Sequence, residues 1–156
     1  MKRILGIVLA ATFALTSVPA HAASATINYK GLVSATISKS VKLPPSGCSN
    51  IKFTYKYSAD LLGSDWLVSF LLSKSSTQAI VAAYHQSFSH FDADPALRGT
   101  SSLRVCRNSW TTKDGTYARA SNGQYTFMAL VRSYNPDTYQ FEYQGVTNKV
   151  TLSISG

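Results

Sequence analysis

Four side chains able to bind a metal or move a proton crowd into YHQSFSHFDADP, residues 84 to 95: His85, His90, Asp92 and Asp94. Imidazole and carboxylate together make a ligand set for zinc or another borderline metal. The spacing works against it. His85 and His90 are five apart, so on one strand they point to opposite faces. Asp92-x-Asp94-Pro95 reads as a turn whose aspartates bond nearby backbone N–H groups. A calcium loop would bring more oxygens and a glycine at the bend. The segment is read as a loop, a metal-dependent enzyme at His85, His90, Asp92 and Asp94 is the minor alternative, and no cofactor is expected.

Other catalytic constellations are missing. There is no Gly-x-Ser-x-Gly elbow for an acyl-transfer serine. Glycoside hydrolysis needs two placed carboxylates. Here Glu142 is the lone glutamate, and the aspartates mostly sit beside turn residues. No glycine loop that could cradle a phosphate is present. The chemistry left to the chain is recognition. Tyr134, Tyr139 and Tyr143 cluster with Arg132 around Asn135-Pro136-Asp137, and tyrosine offers rigid contact area with a polar tip. The competing reading is that Tyr139, Phe141 and Tyr143 fill the core side of a strand, Phe141 more so than Tyr134.

The elements that must position these residues alternate with period two. Ile51, Phe53, Tyr55 and Tyr57 interleave with Lys52, Thr54 and Lys56. Trp66, Val68, Phe70 and Leu72 form a second run, Tyr125, Phe127, Ala129 and Val131 a third, and Val150, Leu152 and Ile154 a last one. STQAIVAAYHQ is ambiguous, because its alanines favour helix. Gly145 breaks the final alternation, as at a bulge. Turn residues punctuate the runs, at Pro44 to Gly47, Asn122-Gly123 and Asn135-Pro136-Asp137 among others. Short strands separated by such turns predict one all-β domain.

The chain starts as an exported protein does. Lys2 and Arg3 precede the apolar run ILGIVLAATFAL, and Ala20-His21-Ala22 supplies the small-x-small cleavage pattern. Residues 1–22 are read as a signal peptide and residues 23–156 as the domain, secreted, extracellular or periplasmic, with no membrane span. Outside the cytoplasm two cysteines pair, so Cys48 and Cys106 are expected to form one disulfide. Both thiols are then consumed, which removes a Cys–His nucleophile. Without Lys2 and Arg3, 13 basic residues face 7 acidic ones. Such a balance attracts anionic polymers. With no basic–aromatic stacking motif, nucleic acid is not expected as a partner.

Ser121-x-Gly123-x-Tyr125-x-Phe127-x-Ala129-x-Val131 resembles the penultimate strand of immunoglobulin-like and fibronectin-III-like domains, whose tyrosine hydroxyl bonds back to the preceding turn. Tyr125 matches that tyrosine, and Trp66 matches the buried tryptophan. Phe127 stands where antibody-type domains carry a cysteine, which separates this chain from them. The resemblance implies a single immunoglobulin-like antiparallel β-sandwich of about seven to nine strands. It also implies that the strand after Cys48 and the strand ending at Cys106 are antiparallel neighbours. The disulfide then staples one rim of one sheet, and Lys52, Lys56 and Arg104 face solvent together. Like charges on adjacent strands repel unless an anion lies between them.

The expected function is therefore a secreted, non-catalytic binding or adhesion module. Its partner would be an anionic cell-surface polymer, a glycan or a secreted protein. A secreted inhibitor or structural protein is the alternative, to be favoured by a protruding rigid loop at 86 to 100 or 107 to 122.

Overall fold

Alternating side chains become strands with one wet and one dry face, and two such sheets close on each other. A computed structural model of the chain describes residues 23–62, 64–89, 96–113 and 115–156. Residues 1–22, with the leader reading, and His90, Asp92 and Asp94 lie outside them. The described strands are β1 (Ser24–Tyr29), β2 (Val33–Ser38), β3 (Ser40–Lys42), β4 (Cys48–Tyr57), β5 (Trp66–Lys74), β6 (Ile80–Phe88), β7 (Arg98–Cys106), β8 (Trp110–Thr112), β9 (Gly115–Tyr117), β10 (Gly123–Asn135), β11 (Gln140–Val146) and β12 (Val150–Ser155). One 3-10 turn, Ala59–Leu61, is capped by Ser58. Among the described residues no helix is long and apolar enough to cross a membrane.

One sheet runs in the order β1-β2-β4-β7. The other runs β3-β12-β10-β5-β6, with β11 also pairing β10, and β8 and β9 form a separate small hairpin. Two expectations need correction. The described residues form twelve strands rather than seven to nine, because β3, β8 and β9 are three residues each, too short for an alternation. The sheets are also mixed: β3 pairs β12 in parallel, Ser40 to Lys42 against Ser153 to Ser155. The chain leaves the smaller sheet after β2, turns at Lys39 and joins the larger one, so β3 lies at an edge of that sheet beside β12. The ambiguous segment is the strand β6. Ala82 is wholly buried there, where helix propensity yields to packing.

The core is aromatic. Phe53 of the smaller sheet meets Phe70 and Phe127 of the larger, with ring centroids 4.9 and 5.6 Å away. Around them pack Ile27, Val33, Ile37 and Leu103 from one side and Val68, Leu72, Val131 and Leu152 from the other, all buried. Each such side chain stabilises the fold by about 1.5–3 kcal/mol. Trp66 is half-buried and packs against this core rather than inside it, because it stands at the very start of β5.

Tyr125 behaves as the resemblance implies. It is fully buried, and its hydroxyl donates to Ser121 O at 2.7 Å and accepts from Ser121 N at 2.8 Å. Gly145 marks a bulge, with Val131 opposite Gly145 and Arg132 opposite Tyr143, so that Gln144 is the extra residue. The Tyr29 ring lies over Gly145, leaving no room for a Cβ, and its hydroxyl donates to Gln144 O at 2.9 Å. Segment 107 to 122 is no free loop. Trp110 stacks on Tyr117 at 4.6 Å, and Tyr117 and Ala120 are buried.

Candidate functional site

The outer face of the smaller sheet is built from the polar half of each alternation. Cys48 and Cys106 are directly opposite one another and bonded, so the disulfide ties β4 to β7 at one rim of a single sheet. Counting along the ladder from that rim, Asn50 faces Arg104, Lys52 faces Ser102, Thr54 faces Thr100 and Lys56 faces Arg98. Lys52, Lys56 and Arg104 thus share one exposed face, as the sequence implied, and Arg98 joins them. Across the other strands Thr26 faces Thr36 and Thr36 faces Thr54, so four threonines cross the sheet in one row. Thr26 and Thr36 hydroxyls are 2.8 Å apart. Ser24, Asn28, Ser34 and Ser38 complete a face that, among the described residues, carries no aspartate or glutamate.

The electrostatics of this face are one-sided. Lys56 and Arg98 are cross-strand neighbours of the same charge, an arrangement that is destabilising by itself. Both line a hollow of about 450 Å³ with Tyr57, Ser58, Ala59 and Leu97. Lys52 lines another, of about 210 Å³, floored by Thr36, Thr54 and Thr100. Arg104 is held differently: its guanidinium lies 5.6 Å from the Trp110 ring and contacts Cys48 Sγ at 3.8 Å. Cations anchored over an aromatic ring and aligned along two strands, with hydroxyl donors between them, can hold phosphate, sulfate or carboxylate groups.

The opposite face, on the larger sheet, collects the remaining candidates. Arg132 is directly across from Tyr143, and Tyr134 from Phe141. Phe141 is 42% exposed, Tyr143 62% and Tyr139 80%, so these side chains do not fill the core. The reason is facing: Tyr143 and Phe141 lie opposite Arg132 and Tyr134 on the outer side of the larger sheet, away from the core side that Ala129 and Val131 fill. Tyr134 and Phe141 instead pack on each other edge to face at 5.6 Å.

His85 falls on this same face, away from any ligand set. Its Nδ1 lies 2.8 Å from Ser69 Oγ, across the β5–β6 pairing. Among the described residues no cluster of histidine, cysteine and carboxylate is placed to hold a metal. The sequence reading missed Arg98 and Ser69. Arg98 is recoverable by counting antiparallel register from Cys48–Cys106; Ser69 carries no such mark.

No family model matches the chain, and no curated protein matches it. Among solved structures, the chain is similar to the crystal structure of the PmoD soluble domain from Methylocystis sp. ATCC 49242 (Rockwell), at 8% sequence identity and a TM-score of 0.39, over 83% of this chain and 97% of that one.

Proposed function

We propose that this protein is a secreted, non-catalytic binding module of immunoglobulin-like architecture that attaches to an anionic polymer at a cell surface. One observation carries the reading: Lys56 opposes Arg98, with Lys52 and Arg104 on the same face and no carboxylate among the described residues of that face. An anion lying along β4 and β7 relieves that repulsion and gains charge-assisted hydrogen bonds. The architecture draws support from the Tyr125 hydroxyl bonds and from strand placement. β2, β4 and β7 in one sheet correspond to strands A, B and E, and β5, β10 and β12 in the other to C, F and G. The disulfide departs from the antibody pattern, since it stays within one sheet. Export rests on the leader-like first 22 residues and agrees with the disulfide.

The test is retention of the mature protein on an immobilised sulfated or phosphate-bearing polymer across a salt series. Binding should weaken as salt rises, and the Lys56→Gln/Arg98→Gln double variant should lose about tenfold in affinity, or 1.4 kcal/mol. Wild-type and double variant eluting together would reject the assignment. A second reading, inhibition of a secreted hydrolase, is favoured by the β10–β11 tip, where Tyr139 stands out at φ 57°. It predicts that replacing Tyr139 with alanine abolishes partner binding while leaving polymer retention intact.

A further inference from the structure

On the larger sheet, away from the basic face, a groove of about 280 Å³ crosses the outer side of β10, β5 and β6. Its floor is Ser69, Leu71, Ala83 and Leu130, and Gly115 to Tyr117 of the small hairpin form one wall. His85 and Arg132 stand at its sides. Ser69 is 2% exposed although it points away from the core, so the hairpin has made a recess of what would otherwise be open sheet. Tyr143, the direct cross-strand neighbour of Arg132, lies on the same face just outside the groove.

We infer that this groove is a binding site for a glycan presenting a carboxylate-bearing sugar ring, of the uronic acid type. Three features select that occupant. First, β5, at the centre of the floor, is paired along its length to β10 on one side and β6 on the other, so it has no free main-chain groups to hold an extended peptide. The hydrogen-bonding groups on offer are side chains: the Ser69–His85 pair and the Arg132 guanidinium. They suit a ligand rich in hydroxyls. Second, the apolar floor of Leu71, Ala83 and Leu130 matches the C–H face of a pyranose, and Tyr143 extends that surface with an aromatic ring. Third, Arg132 meets no acidic partner among the described residues, and the described lining contains none. A guanidinium fork pairs with a planar carboxylate through two parallel hydrogen bonds.

Ser69 and His85 touch, and among the described residues no carboxylate orients the ring, the third group that a nucleophile needs.

The two faces are tested apart by working in the Lys56→Gln/Arg98→Gln background, which removes polyanion attraction on the smaller sheet. Oligogalacturonate and a neutral glucose oligosaccharide of equal length are titrated into that protein while its amide spectrum is followed. Oligogalacturonate should shift the amides of Ser69, Thr116 and Leu130, with the neutral sugar binding about tenfold more weakly. Arg132→Gln should lose about tenfold in affinity, and Tyr143→Ala should weaken both sugars, with the amide spectrum of each variant otherwise intact. The inference fails if these amides do not move, if the neutral sugar binds equally well, or if Arg132→Gln binds as before. None of those results touches the polymer-binding assignment of the other sheet.

Discussion

Tyr57 keeps a polar group deep in the core. It is almost fully buried, lies against Phe88 edge to face at 4.6 Å, and its hydroxyl has no hydrogen-bond partner. Burial pushes its pKa far above the ordinary tyrosine value, and the nearby Tyr84 and Tyr55 push it the same way. Tyr55 is raised too, by burial first and then by Tyr84. The folded protein therefore keeps these protons after the unfolded chain has lost them. Their contribution to stability is complete below the unfolded value, about pH 10, and is lost progressively as pH climbs above it. Tyr57→Phe deletes an unpartnered buried hydroxyl, so it should raise stability by about 1 kcal/mol at neutral pH and flatten the alkaline fall. Melting curves at neutral pH and above pH 10 check both; a destabilised variant would mean that the hydroxyl has a partner after all.

The elements show what could be read beforehand. β4, β5, β10 and β12 were legible because one face of each is oily throughout, and Tyr125 and Gly145 carried their geometry in their own chemistry. The short strands β3, β8 and β9 were not, since three residues cannot display a period. β11 was misleading for a different reason. Its alternation of aromatic and polar residues is real, but alternation does not say whether a second sheet lies opposite. Groove and basic face alike depend on long-range register: Ser69 with His85, and Lys56 with Arg98. Only the second was recoverable, because the two cysteines pin the β4–β7 ladder. That pin should matter energetically. Closing a 58-residue separation stabilises by about 4 kcal/mol on loop-entropy grounds. Cys48→Ser should lower the melting temperature by roughly 10 °C. Its far-UV spectrum should not change, because the ladder continues from Ser49–Val105 to Lys56–Arg98 without the disulfide. An unshifted melting temperature would show that the bond does not constrain the unfolded chain.

At the scale of the whole molecule, positive charge outweighs negative. The cations on the smaller sheet face one another and solvent, with no counter-charge on that face among the described residues. The folded state therefore carries a repulsion that mobile ions can screen. Raising sodium chloride from about 0.02 M to about 0.5 M, where the screening length falls to a few ångströms, should raise the melting temperature by a few degrees. The increase should shrink in Lys56→Gln/Arg98→Gln. If wild-type and variant respond alike, the repulsion is not on this face.

The parallel seam between β3 and β12 also decides how the domain meets a pull. Tension applied between Lys39 and Gly156 loads Ser40 to Lys42 and Ser153 to Ser155 in opposite directions along the same line. Their hydrogen bonds must then slide together instead of opening one at a time like a zip. Such a join resists shear, and here it is made by the strand that follows the first hairpin and the last strand of the larger sheet.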